Sequence, residues 1–435
     1  MKKVAIHTLG CRANQLESSI ISDEFTNFGW EIVKFNEVAD VYIINTCTVT
    51  GKSDNESRYY ARKARKTNPD SKIILCGCYT QVSPEEASLL EEVDLILGNT
   101  EKLEVAELIA NGKIFEQENK IFVSDIMQKT KFQDKVVFSA SGRTRANIKV
   151  QDGCNFRCSY CIVPYARGKS RSNELYKVIN QVEEITNKGF QELVLSGIHL
   201  GQWGIDLTPK TQLAELIKEI EKVKSLKRYR LSSIDPMEFT DELINTITNS
   251  EKFCHHLHIS LQSGNNDILK AMKRRYSVEF YSELIEKFAK NIPNIAIGSD
   301  IIVGFPGETE EQFEDTYENL KKLPISYIHV FSYSKRVGTP ANLMENQVPE
   351  NIKKERNKKL TALANAKNLA FRESFIGKEL EALIELSRDK GTGLLKGLTD
   401  NFIPVLVEGS DEFKNKIIKV KIKKVENNKT FGELV

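Results

Sequence analysis

The chain has 435 residues, 40% hydrophobic and 28% charged, more than one core organises, so roughly two to four domains are expected. Its longest apolar run is four residues, far short of the roughly 20 that cross a bilayer, and Met1-Lys2-Lys3 opens directly onto a strand-like segment. Membrane contact and export are therefore not expected, and a cytoplasmic monomer is. With 62 basic against 60 acidic residues the net charge is +2, so any nucleic-acid surface must be a local patch.

The first third alternates short β-branched runs with helical patterns. Val4-Ala5-Ile6 precedes Arg12 to Phe28, and Val41 to Ile44 precedes Lys52 to Thr67. Ile73-Ile74-Leu75 precedes Pro84 to Val93, and Leu95-Ile96-Leu97 precedes Leu103 to Ala110. This alternation predicts a parallel, Rossmann-like βα domain over residues 1–115. Ligands of such sheets gather beyond the carboxyl ends of the strands, and Cys11, Cys47 and Cys78 each fall just past one. Position alone leaves two readings open: buried apolar filler, or thiols converging on one rim. Cys76, two residues before Cys78 on the same strand, sits about 6.6 Å deeper at the usual rise and reads as a core side chain.

Residues 116–139 are weakly patterned and are expected to form a linker. A second βα series follows, with strands near Asn147–Val150, Glu192–Leu195, Tyr229–Ser232, His256–Leu261, Ile295–Val303 and Ile328–Tyr333. Six such units predict a partial (β/α)6 barrel, with its chemistry at the carboxyl-end mouth. The helical stretch from Asn351 to Arg372, carrying Lys353, Lys354, Arg356, Lys358, Lys359 and Lys367, looks like a charged connector closing a domain over 140–372. Beyond it, Leu380–Ile384, Ile403–Val407 and Ile417–Val425 predict a small all-β module over 373–435.

Directly after the first barrel strand stands Gly153-Cys154-Asn155-Phe156-Arg157-Cys158-Ser159-Tyr160-Cys161. Three cysteines this close cannot comfortably form a disulfide framework, and a reducing compartment disfavours one. Three thiolates on one short loop can hold three corners of a four-iron, four-sulfur cube and leave one iron open. An open iron can chelate S-adenosylmethionine and pass it one electron, a radical chemistry that belongs to the cofactor and not to side chains. The competing reading, a structural zinc, requires a fourth ligand. The next cysteine is Cys254, and no histidine lies within a few residues of the loop.

This loop, followed by Ile162-Val163-Pro164-Tyr165-Ala166-Arg167-Gly168, resembles the radical S-adenosylmethionine methylthiotransferases. The likeness extends to Gly10-Cys11-Arg12-Ala13-Asn14, Asn45-Thr46-Cys47-Thr48-Val49-Thr50 and Gly77-Cys78-Tyr79-Thr80-Gln81, and runs over nearly the whole chain. It implies an N-terminal methylthiotransferase domain, a radical barrel and a C-terminal TRAM module. Within the family, Ser232 to Leu243 and His256 to Gly264 resemble the branch acting on N6-threonylcarbamoyladenosine in tRNA.

The resemblance implies two [4Fe-4S] clusters, a radical one on Cys154, Cys158 and Cys161 and an auxiliary one on Cys11, Cys47 and Cys78. It also implies two molecules of S-adenosyl-L-methionine per turnover and a one-electron donor such as flavodoxin or ferredoxin. The expected product carries a methylthio group on adenine carbon 2, where no side-chain acid or base usefully removes the hydrogen. Alternation puts His256, His258, Ser260 and Gln262 on one face, which makes Ser260 and Gln262 expected neighbours of S-adenosylmethionine; the resemblance implies Tyr160, Gly197 and Asp300 as further ones. Cys254, His256 and His258 also form a candidate zinc trio, although satisfied polar groups are the commoner outcome.

The tRNA anticodon loop presents splayed bases, so backbone contacts should come from basic patches. Candidates are Arg167, Lys169 and Arg171 after the radical loop, and Lys419, Lys421 and Lys423 along one strand of the last module. Lysines on an edge strand also block aggregation, and that module balances eleven basic with eleven acidic residues. Two functional alternatives remain. One is the same chemistry on isopentenyl adenosine in tRNA or on a ribosomal-protein aspartate; the other is a non-catalytic iron–sulfur sensor that grips RNA.

Overall fold

The computed structural model describes residues 1–110, 112, 114–116, 118–135 and 144–435; part of the expected linker over 116–139 lies outside the described residues. The chain forms two compact units. One is drawn from Met1–Ala140, Gln151–Asn173 and Ser334–Asn342, the other from Ser141–Val150, Glu174–Tyr333 and Leu343–Val435.

In the first unit, β1 (Lys3–Thr8), α1 (Arg12–Asn27), β2 (Glu31–Val33), β3 (Val41–Thr46), α2 (Gly51–Thr67) and β4 (Lys72–Gly77) follow one another. Then come α3 (Cys78–Val82), α4 (Pro84–Ser88), β5 (Leu95–Leu97), α5 (Val105–Ala110) and β6 (Ile121–Phe122). The sheet is wholly parallel in the order β2-β1-β3-β4-β5-β6. That is the flavodoxin-like order of the doubly wound class, with its switch point between β1 and β3. All six residues of β3 are buried, as expected of a central parallel strand covered on both faces. Leu16, Ile20, Ile21 and Phe25 turn one stripe of α1 onto the sheet, each burial contributing roughly 1.5–3 kcal/mol. The edge strand β2 escaped the sequence reading because Glu31-Ile32-Val33 is too short to show a period. Residues 151–173 also belong to this unit, and include α6 (Val163–Arg167).

The second unit holds six parallel barrel strands in two runs. Ala146–Lys149, Glu192–Ser196 and Arg228–Leu231 pair in that order, as do His256–His258, Ala296–Val303 and Tyr327–Ser332. Single bridges, Tyr229 to Phe253 and Ile234 to Ile259, join the runs into an open arc. The expected strand His256–Leu261 ends early: Gln262 adopts φ +71° and sends its N–H to the Asp300 carbonyl at 2.8 Å.

The helix Glu350–Glu373 corrects one expectation. It is more than a charged connector, because Leu360 and Ala364 enter the barrel core, while buried Arg356 grips Glu308 at 2.7 Å. After it, five strands close a barrel. Two of them, Leu395–Thr399 and Lys429–Leu434, were missed in the sequence. The second follows a tight hairpin at Asn427-Asn428, both at positive φ, the backbone a two-residue type I′ turn requires. The architecture is thus a doubly wound α/β domain, a partial (β/α)6 barrel and a small closed β-barrel. No helix among the described residues is long and apolar enough to cross a membrane.

Candidate cofactor site

Each early cysteine stands where a strand of the first unit ends. Cys11 caps the start of α1, Cys47 follows β3, and Cys78 opens α3. Gly10, at φ +87°, lets the chain turn there; a Cβ on it would lie 2.8 Å from the Cys47 sulfur. The Cys47 thiol is pushed up to about 11, by burial first and then by its neighbours Cys78 and Cys11. The three sulfurs therefore face one rim. Among the described residues, which include all eight cysteines, none forms a disulfide. Cys76 points into the apolar core with its sulfur 3.7 Å from the Ile44 carbonyl, and burial pushes its thiol up to about 12.

Side-chain amides pin the rim from below. Asn14 donates to the carbonyls of Leu9 at 2.8 Å and Thr46 at 2.9 Å, and Asn45 donates to the Asn14 carbonyl at 3.0 Å. Two strand-end turns are thus tied to one helix, and the positions of Cys11 and Cys47 with them.

The second cysteine loop is a closed hairpin of the same unit. Gln151-Asp152 pairs antiparallel with Arg171-Ser172 at its neck, and Gln151 bonds the carbonyls of Asp152 and Gly153 and the hydroxyl of Ser170. Gly153, at φ +73°, is required: a Cβ there would sit 2.0 Å from the Lys169 carbonyl oxygen. The Cys154 N–H donates to Gly168 at 3.0 Å and the Cys161 N–H to Cys158 at 3.1 Å. Cys154, Tyr160 and Cys161 are partly exposed, and Cys158 is buried. Helix α6, which ends this loop, packs against α3, which begins with Cys78. Asn99 ties the two by donating to the Ala166 carbonyl at 2.7 Å, with the Cys78 sulfur 3.6 Å away.

In the second unit, three of the expected cofactor neighbours come together. Asp300 accepts from Ser260 at 2.8 Å, and its backbone carbonyl takes the Gln262 N–H. His258 and His329 close on the same carboxylate at 3.0 and 3.2 Å. Burial would raise the Asp300 carboxyl, but the hydrogen bonds from His258, His329 and Ser260 hold it well below the usual range. The donor atoms of His258, Asp300 and His329 lie close enough to hold a metal ion, yet they already satisfy one another. Gly197 is half-buried at another strand end, its N–H 3.3 Å from the Ser232 hydroxyl. The zinc trio does not assemble among the described residues: His256 instead bonds Tyr327 at 2.8 Å and stacks on Phe402, and Cys254 is buried.

The basic candidates divide. Lys169 is exposed. Arg167 and Arg171 are not, and this corrects the expected RNA-facing rim: both are buried, Arg167 against Glu17, Asn14 and Asp152, Arg171 against Asp152 and the Arg167 carbonyl. On the β-module strand Ile417–Glu426, Val420 and Ile422 turn inward, Lys419 and Lys423 are exposed and Lys421 is half-buried. Lys423 pairs with Glu433 at 3.0 Å, and Lys419 and Lys421 face Glu381 and Glu379 across the ladder.

The sequence reading missed Glu17, Asn99 and Lys102. Only Glu17 left a signal, as a carboxylate beside Leu16 on the apolar stripe of α1. Lys102 gave none.

Comparison with known proteins follows these features. Residues 148–320 match the Radical SAM superfamily and residues 3–98 an uncharacterized protein family, UPF0004. The solved structure of the radical S-adenosylmethionine methyltransferase TsrM from Kitasatospora setae, with cobalamin and a [4Fe-4S] cluster bound, covers 79% of this chain and 77% of its own at TM-score 0.60 and 16% identity. That likeness is one of fold; with the match over residues 148–320 it defines the class, a radical S-adenosylmethionine protein. Threonylcarbamoyladenosine tRNA methylthiotransferase MtaB of Bacillus subtilis is 41% identical, over 98% of this chain and 94% of its own length. Its namesake in Aquifex aeolicus is 42% identical over 97% and 100%. A tRNA-2-methylthio-N(6)-dimethylallyladenosine synthase of Clostridium tetani is 34% identical over 99% and 96%. The chain belongs to the radical S-adenosylmethionine tRNA methylthiotransferases. It is an enzyme, a tRNA methylthiotransferase of the radical S-adenosylmethionine class.

The residues present fit the implied [4Fe-4S] clusters. Three thiols converge at a rim, three more stand on a braced loop, and two buried polar atoms near the rim, Arg167 Nε and Asn99 Oδ1, make no hydrogen bond.

Proposed function

We propose that this enzyme places a methylthio group on carbon 2 of N6-threonylcarbamoyladenosine next to the anticodon of tRNA. The observation that carries the reading is the identity of 41–42% to enzymes named for threonylcarbamoyladenosine, against 34% to one named for the dimethylallyl nucleoside, each over nearly the full chain.

In this reading Cys154, Cys158 and Cys161 hold the cluster that activates S-adenosylmethionine, and Cys11, Cys47 and Cys78 hold the auxiliary cluster from which sulfur is delivered. The bound groups supply the electron, the radical and the sulfur. The chain's own work is placement. Asn14 and Asn45 fix the rim, the 151–172 neck fixes the loop, and α6 against α3 holds loop and rim within one unit. Asp300, kept ionised by His258, His329 and Ser260, is an acceptor for hydroxyl groups of the cofactor, with Gly197 and Gln262 at strand ends of the same unit. Lys169, Lys419 and Lys421 offer exposed or half-exposed charge to tRNA phosphates. The enzyme acts in the cytoplasm as a monomer and takes electrons from a small carrier such as flavodoxin or ferredoxin.

Anaerobic reconstitution with iron and sulfide, then incubation with S-adenosylmethionine and either threonylcarbamoylated or dimethylallylated tRNA, tests the substrate. Nucleoside mass spectrometry should find the methylthio product from the first tRNA. Product from the second alone would replace this reading with the dimethylallyl one.

A further inference from the structure

Beneath the cysteine rim lies a buried charge cluster. Glu17, Lys102 and Arg167 are all closed to water. Glu17 accepts from Lys102 at 2.6 Å on one oxygen and from Arg167 on both, at 2.5 and 3.0 Å. Asp152 stands 3.5 Å from Arg167 and 3.6 Å from Arg171. Three cations thus meet two carboxylates, and the group carries an excess positive charge. Uncompensated buried charge costs several kcal/mol, so the cluster is poised to accept an anion.

Arg167 is placed to meet it. Its Nε is buried and makes no hydrogen bond, although a guanidinium has five donors to satisfy. Burial works against its charged form, yet the carboxylates of Glu17 and Asp152 hold it charged, and its helix α6 packs on α3, which begins with Cys78. Asn99 joins the same place by contacting the Cys78 sulfur and the carbonyl of Ala166, the residue before Arg167.

We propose that Arg167 is a positioning residue for the cluster on Cys11, Cys47 and Cys78: it supplies compensating positive charge and one buried N–H to that cluster, and so favours the cluster's reduced, more negative state. The inference rests on the reading that these three cysteines carry a cluster. It also gives the chain after the radical loop a second task, since α6 both ends that loop and presents the guanidinium to the other centre. Hydrogen bonds and charge around the sulfurs are established levers on iron–sulfur potentials.

The test uses the full chain carrying C154A/C158A/C161A, so that a single cluster assembles, reconstituted anaerobically and titrated by EPR against redox mediators. If this parent binds no iron, the cluster assignment fails, and the failure is distinct from that of the present inference. Given a cluster, Arg167→Gln should shift its midpoint to more negative potential at unchanged iron content, because Glu17 still has Lys102 as a partner. Arg167→Lys, which keeps the charge and loses the Nε–H, should shift it less and serves if the glutamine variant does not fold. Lys102→Gln, on the far side of Glu17, should shift it less than Arg167→Gln. An unchanged midpoint in Arg167→Gln, or an equal shift in Lys102→Gln, overturns the proposal.

Discussion

Each of the two units buries one glutamate between two cations, and the two groups differ in what the cations do next. In the first unit Glu17 bridges Lys102 and Arg167, and Arg167 keeps one buried donor, Nε, without a hydrogen bond. In the second, Glu192 accepts from Arg228 and Arg230, each at 2.7 Å. There the spare donors go to backbone: Arg228 to the carbonyls of Glu381 and Leu398, Arg230 to those of Thr399 and Asp400. Those carbonyls belong to the C-terminal β-barrel, so the second group is a structural joint between that module and the radical barrel. The same arrangement of charge serves mechanics where every guanidinium nitrogen has a partner and leaves one nitrogen, Arg167 Nε, without one in the first unit.

The comparison breaks most visibly at Glu192. Glu192→Gln leaves two buried guanidiniums without a carboxylate and should destabilise the second unit by about 3–5 kcal/mol, measured by denaturant unfolding, with iron content unchanged. Burial would raise the Glu192 carboxyl, but Arg230 and Arg228 lower it below its ordinary value. Its contribution is thus complete above the unfolded value of about 4.3 and is lost as pH falls through the lower folded value. The gap between wild type and variant should therefore narrow on acidification through that window.

A third carboxylate sharpens the contrast, because Asp300 has donors on both oxygens yet forms no joint. Asp300→Asn should weaken S-adenosylmethionine binding by about tenfold or more, the loss of a charged hydrogen bond being worth about 1.5–3 kcal/mol. Calorimetry of the holoenzyme measures this, and unchanged affinity would remove Asp300 from the cofactor site. The smallest effect belongs to the exposed cations. Lys419→Ala with Lys421→Ala should lower tRNA affinity modestly and reduce the salt slope by about 0.7 for each single-strand phosphate that these lysines neutralise. An unchanged slope would leave these lysines as partners of Glu381 and Glu379 only.

Much of this was legible in the chain. All six barrel strands fall within a residue or two of their expected starts, because short β-branched and aromatic runs between helical periods mark them. The rim was legible as well, since Cys11, Cys47 and Cys78 each follow a run whose strand end is easily placed. The short strands Glu31–Val33 and Leu395–Thr399 were not, because three residues show no period and Lys396 and Gly397 interrupt the other. Arg167 misled for a physical reason: a basic residue after a loop is usually solvated, and only the fold reveals Glu17, far earlier in the chain, as its partner. Long-range ion pairs leave no local pattern, so Lys102 was invisible too.

The central claim is that one chain carries two separate inorganic centres, each on its own three cysteines. Iron analysis with Mössbauer spectroscopy of two reconstituted triple variants, C154A/C158A/C161A and C11A/C47A/C78A, tests it most directly. The account predicts that each retains about four iron atoms per chain in place of about eight, as one intact four-iron cluster; loss of all iron from either variant, or no loss from either, contradicts it.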